Sequence, residues 1–159
     1  GENHGAVIND DSPTIPCDEQ GYLLLKMEEL WQQAYPNECV IVRPTGIYGT
    51  SSARMVKLAE VTKTYSNIHW SNRIHIYDLA NFLAHLLHVE HPEKSYICTN
   101  NQPQPLHEMI LKIQRDLNLP ELVLQSQNET GKKIFADNMV KSGYKLKHDS
   151  CLLDYRKLL

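Results

Sequence analysis

The run Cys39-Val40-Ile41-Val42, leading into Arg43-Pro44 and then Gly46-Ile47-Tyr48-Gly49, constrains this chain more than any other stretch. A short unbroken apolar run reads as a strand buried on both faces, as in parallel sheets. Proline cannot donate to a sheet ladder, so Pro44 marks the end of a strand placed at 39–43. The Gly-x-x-Gly beyond it permits backbone angles a side chain resists, which predicts a turn. In open α/β sheets ligands bind beyond the carboxyl ends of strands, where this turn would lie. The segment therefore predicts a binding site, and a sheet larger than the chain supplies alone.

Composition narrows the class. A chain of 159 residues is long enough to bury one substantial core. A net charge of -3, with Lys and Arg scattered, gives no basis for nucleic-acid binding. No apolar run approaches the roughly 20 residues that cross a bilayer, and the opening residues have no signal-peptide pattern. The four cysteines, at 17, 39, 98 and 151, form no Cys-x-x-Cys pair. Structural zinc is therefore not expected, and a reduced, cytoplasmic setting is.

Along the chain, residues 1–19 read as a polar loop. A helix is expected from Glu19 to Ala34, with Asp18 as N-cap and Leu23, Met27, Leu30, Trp31 and Ala34 on its apolar face. Further helices are expected at 53–65, 77–89 and 106–117, with shorter ones at 134–142 and 150–158. Residues 69–76 read as extended, 95–99 as a second short strand, and 122–124 as a brief extended piece before a polar linker. Helices are expected to outnumber strands. No Gly-x-Gly-x-x-Gly turn joins a strand to a helix, as a dinucleotide-binding unit would require.

His85, His88 and His91 recur every third residue, but on a helix such positions drift around the axis and do not converge on a metal. Asp78 falls where a helix begins, which suits an N-cap or first-turn role. Arg43 is suited to a carboxylate contact at the strand end. Arg73 is suited either to a structural contact or to a bidentate clamp on a phosphate or carboxylate.

Three pieces together resemble the C-terminal half of an extended short-chain dehydrogenase/reductase, the NAD(P)-dependent epimerase/dehydratase family. Tyr22-Leu23-Leu24-Leu25-Lys26 is similar to its Tyr-x-x-x-Lys. Arg43-Pro44-Thr45-Gly46-Ile47-Tyr48-Gly49 is similar to its Arg-Pro-x-x-x-Tyr-Gly. Arg73 through Ala80 is similar to its Arg-x-x-x-x-Asp-x-Ala. Gln102-Pro103 and Gly131-Lys132-Lys133-Ile134 add weaker likeness. Family members are about twice as long, and Gly1-Glu2-Asn3 resembles the residues just after their Val-Tyr-Gly. The chain is thus expected to be a fragment, a split-gene product or a cleaved piece.

The resemblance implies catalytic roles for Tyr22 and Lys26, since a lysine ammonium near the phenol lowers its pKa for acid–base work. It implies cofactor contacts from Tyr22, Lys26 and Pro44, and substrate contacts from Thr45, Tyr48 and Arg73. Tyr and Lys four apart also occur in helices that only pack, and the usual Ser/Thr partner is missing. No metal is implied. NAD or NADP is the expected cofactor of the complete protein, not of this chain alone. The expected fold is α/β: the C-terminal part of a Rossmann-like dehydrogenase/reductase, with one or two sheet strands plus a mainly helical substrate subdomain. Residues 1–50 would be the remnant of the dinucleotide-binding domain. Residues 51–159 would form the substrate subdomain, strand 95–99 being a candidate to rejoin the sheet. The expected activity is epimerisation, dehydration or reduction of a sugar nucleotide or similar small molecule. The rival reading is a non-catalytic dehydrogenase-like module that binds a small molecule or a protein. Expected partners are the substrate and either the missing N-terminal half or a second copy, with no nucleic acid and no membrane.

Overall fold

A computed structural model describes residues 4–158, so Gly1-Glu2-Asn3 lie outside the described residues. In chain order the elements are β1 (Ala6–Ile8), α1 (Glu19–Ala34), β2 (Ile41–Pro44), β3 (Gly46–Tyr48), α2 (Ala53–Val61), β4 (Thr64–Tyr65), β5 (Ile68–Ser71) and β6 (Arg73–His75). Beyond these come α3 (Ile76–Leu86), β7 (Ser95–Cys98), β8 (Gln104–Pro105), α4 (Leu106–Asp116), β9 (Val123–Leu124), β10 (Glu129–Ile134), α5 (Asp137–Lys141) and α6 (Cys151–Lys157).

The strands form one four-stranded sheet, ordered β1-β10-β5-β8, and three two-stranded ones: β2-β7, β3-β6 and β4-β9. Every pairing is parallel except β5 with β8. Parallel pairing needs long crossover connections, and the helices supply several of them. The architecture is α/β.

Local chemistry explains the main elements. The Asp18 carboxylate accepts from the Gly21 N–H at 2.7 Å, capping α1, which ends before Pro36. Pro44 is the last residue of β2, and β2 pairs with β7 from Ile41↔Ser95 to Pro44↔Cys98. Gly49 sits against α3: a Cβ there would lie 2.4 Å from Ile76 Cγ2, so only glycine admits this approach.

Two apolar cores result. One joins Tyr48, Met55 and Ala59 with Met109, Ile110 and Ile113 of α4 and with Cys151 and Tyr155 of α6. The other joins Ile74, Leu79 and Phe82 with Tyr96 and Cys98 of β7 and Met139 of α5.

Four expectations need correction. The described residues hold ten strands and six helices, not one or two sheet strands. The segment before α1 contains β1, which pairs with β10 inside the supposed polar linker. The Gly-x-x-Gly segment carries β3, hydrogen-bonded to β6, in place of a simple turn. The apolar residues of α1 do not face the core: Leu23, Met27, Leu30 and Trp31 are all at least half exposed. The helix packs instead through Gly21, Leu25, Glu28 and Gln32, with Glu28 bonding Arg43 and Gln32 bonding the Lys94 carbonyl.

Candidate functional site

The strand end at Pro44 opens into two adjoining clefts. The first, of about 490 Å³, is lined by Arg43, Pro44, Thr45, Gly46, Trp70 and Lys132 among others. The second, of about 380 Å³, lies on the other side of Gly46 and is lined by Tyr48, Ser51, Arg54, Ser71, Arg73 and Tyr155. Gly46, Ser71 and Asn72 border both. The ladder sets this arrangement, since Gly46 pairs with Arg73 and its N–H donates to the Asn72 carbonyl at 3.0 Å.

Arg43 does not reach freely into the first cleft. Its Nε donates to both Glu28 carboxylate oxygens at 3.1 Å, and Nη2 donates to Oε2 as well. This partly buried bidentate pair ties α1 to β2. Thr45 closes the end of β2, its N–H and hydroxyl both donating to the Cys98 carbonyl, at 3.0 and 3.1 Å. Asn72 donates to the Lys132 carbonyl and accepts from the Ile134 N–H, each at 2.8 Å, fixing β10 beside the cleft.

The second cleft holds two guanidinium groups and no carboxylate. Neither Arg54 nor Arg73 has an acidic partner among the described residues, and the buried Arg73 Nε donates to nothing. A buried guanidinium donor without a partner is costly. Such a site suits an anionic ligand able to receive a fork of N–H groups. The Tyr48 ring forms part of the wall, but its hydroxyl is committed, donating to Asp154 Oδ2 at 2.8 Å. Burial and the bond to Asp154 hold that phenol far above its ordinary pKa, so it is no acid–base group near neutrality.

Of the residues singled out in the sequence, the fold brings Thr45, Tyr48 and Arg73 together around Gly46. It does not bring Tyr22 or Lys26 to them. Tyr22 is 67% exposed, and the helix residues that border a neighbouring groove are Gly21, Leu24, Leu25 and Glu28. Arg54 and Asn72 escaped sequence reasoning. A lone arginine in the first turn of a helix carries no pattern until the fold sets it beside Arg73.

Asp78 is fully buried in the first turn of α3, accepting from the Tyr144 hydroxyl and from the N–H groups of Lys147 and His148, at 2.8–3.0 Å. The cap of α3 is His75, whose Nδ1 accepts from the Tyr77 N–H at 3.2 Å. The His75 ring stacks on His148, centroids 3.6 Å apart and planes within 9°. His148 Nδ1 in turn lies 3.2 Å from Asp154 Oδ2. Burial, then the neighbouring His148, hold the His75 pKa below its ordinary value, with Asp154 and Asp78 opposing. Burial raises the Asp154 pKa, but the bonds from Tyr48 and His148 and the charges of His148 and Lys157 bring it below the usual value.

His75, His148 and Asp154 present ligand-type atoms within 4.8 Å of one another. The stacking nevertheless defeats metal binding, because a metal sits about 2.0–2.1 Å from each imidazole nitrogen, in the ring plane. Two parallel rings cannot share such a point. Nor do His85, His88 and His91 converge: His85 bonds the Ser142 carbonyl, and the other two are exposed. No helix among the described residues is long and apolar enough to cross a membrane.

A scan against profiles of known families finds no match, and neither does a comparison with curated proteins. Solved structures do match. A protein from Methylobacillus flagellatus, assigned as an NAD-dependent epimerase/dehydratase, is 30% identical with a TM-score of 0.86, over 99% of this chain and 58% of its own. A functionally unknown conserved protein from Silicibacter pomeroyi is 21% identical with a TM-score of 0.77, over 99% and 61%. A dTDP-glucose 4,6-dehydratase from Bacillus anthracis, in complex with NAD, is 14% identical with a TM-score of 0.74, over 98% and 56%. The last two likenesses concern the fold alone. The chain spans less than two thirds of each of these proteins.

Proposed function

We propose that this chain is the C-terminal half of a member of the NAD-dependent epimerase/dehydratase group of extended short-chain dehydrogenases/reductases, and that it forms the substrate-binding side of such an enzyme. The ligand proposed is a sugar nucleotide or a similar phosphorylated small molecule. The observation that carries this reading is Arg73, a guanidinium with a buried, unpartnered Nε beside a second arginine in a cleft without carboxylates. A pyrophosphate would supply the acceptors that these donors lack.

The dinucleotide is a separate matter. Gly46 borders both clefts and Gly49 follows three residues on, and both are taken up by protein contacts. A Cβ at Gly46 would lie 3.1 Å from the Asn72 carbonyl oxygen, and one at Gly49 would strike Ile76. These residues do not form a pyrophosphate cradle for NAD or NADP. In this reading the cofactor is held by residues outside this chain, and the chain's own contribution is to bind and orient substrate.

Titration calorimetry with UDP-glucose and dTDP-glucose tests the proposal. Arg73→Leu should weaken binding by about tenfold or more, about 1.4 kcal/mol. Equal affinity in the parent and the variant would overturn it. A second reading, a binding module without catalysis, is favoured by the exposure of Tyr22 away from the clefts. Tyr22→Phe in a complete form separates the two. Turnover that survives unchanged removes Tyr22 from the chemistry, and loss of turnover with binding intact restores it.

A further inference from the structure

The stacked histidines lie where three parts of the chain meet, and neither cleft beside Gly46 is lined by them. His75 begins α3, His148 lies in the segment before α6, and Asp154 belongs to α6 itself. The stack tolerates little charge. His75 Nδ1 is an acceptor for the Tyr77 N–H, so a proton there turns an N-cap bond into two opposed donors. A proton on His148 would be set against the Asp154 carboxylate, which its Nδ1 faces at 3.2 Å. A second, on His75, would set two cations face to face at 3.6 Å.

We propose that the His75–His148 stack is a pH-operated latch that holds α6 and the segment before it on the body of the protein, and releases them in mild acid. The groups facing the pair leave this logic intact. Asp78 on α3 is occupied by three donors, and Asp154 by Tyr48, His148 and Lys157. Tyr48 and Tyr77 present uncharged rings to His75, and Arg73 two residues earlier adds a further positive charge. His75 is 4% exposed, so its proton arrives through the more open His148 side as the contact breathes.

Linkage gives the sign. A histidine whose pKa is lowered on folding leaves stability unaffected well above its ordinary value of about 6.5. Below that value the released state binds the proton more readily, so the docked state loses ground as pH falls. The part released would carry Cys151, Leu152 and Tyr155 out of the core. Tyr155 also walls the arginine cleft, so the cleft would open with it whatever it binds.

Thiol labelling reads this directly. Cys151 is 2% exposed in α6, and Cys98 is fully buried in β7, within the other core. Both thiols are buried and react only once exposed, as ordinary thiols, so their labelling ratio cancels the reagent's own pH dependence. In a Cys17→Ser/Cys39→Ser background, labelling with 4,4′-dithiodipyridine is compared near neutrality and about two pH units below. Cys151 labelling relative to Cys98 should rise about tenfold in acid. His75→Asn, whose amide oxygen can keep the cap without titrating, should remove the rise, and so should His148→Gln. An unchanged ratio, simultaneous labelling of both thiols, or a rise that persists in whichever variants fold would each overturn the proposal.

Discussion

Asp78 accepts three hydrogen bonds in the interior of the protein, and all three come from the 144–148 segment. Its sequence position announced a role at the start of a helix, and the structure does place it in the first turn. The donors were not readable, because they lie 66–70 residues away and are mostly backbone N–H groups, which leave no mark in a sequence. Removing the carboxylate strands those donors in the interior. Asp78→Ala should therefore lower unfolding stability by roughly 3–5 kcal/mol, read from the urea midpoint. Asp78→Asn, which keeps an acceptor, should cost less. Arg43 shows the converse case: its type and place pointed to a carboxylate contact, and Glu28 supplies it.

At the scale of elements, Gln114 couples α2 to α4. Its Nε2 donates to the carbonyls of Ala59 and Thr62, and its Oε1 accepts from the Leu122 N–H, all at 2.8 Å. The side chain is 1% exposed, so two of these bonds satisfy carbonyls at the C-terminal end of α2 and the third holds the segment leading into β9. Gln114→Leu should cost roughly 2–4 kcal/mol and speed amide exchange at Leu122, as measured by hydrogen-exchange mass spectrometry. The helices were largely legible. α1 spans the range expected from its cap and period, and α3 and α4 fall within a residue or two of theirs at the start. The strands were legible only in part: β2, β7 and the extended stretches at β5, β6 and β9 stand where they were expected, whereas β1, β3 and β10 did not show. β10 reads Glu-Thr-Gly-Lys-Lys-Ile, and β3 has three residues, the one too polar and the other too short for a period of two to register. The site was half legible: Thr45, Tyr48 and Arg73 stood in recognisable motifs, whereas Arg54 joins them only through folding. Periodicity on α1 correctly found an apolar stripe but could not say which face the sheet would take, and the Arg43–Glu28 pair claims the polar one.

For the molecule as a whole, that stripe is a liability. Leu23, Met27, Leu30 and Trp31 stand at least half exposed along one helix, and Trp31 stacks on Tyr35 at 5.6 Å. An apolar surface of this kind promotes association. Met27→Lys with Leu30→Lys should raise the solubility limit and remove concentration dependence in sedimentation. Stability should change by less than about 0.5 kcal/mol per site. The pairing of β1 with β10 has a different consequence, felt while the chain is being made. Ala6 finds its partner only at Lys132. At the usual pace of about 5–20 residues per second, β1 leaves the ribosome roughly 6–25 seconds before that partner does. Throughout that interval its edge is open, so the nascent chain, more than the finished one, is what a chaperone would have reason to hold.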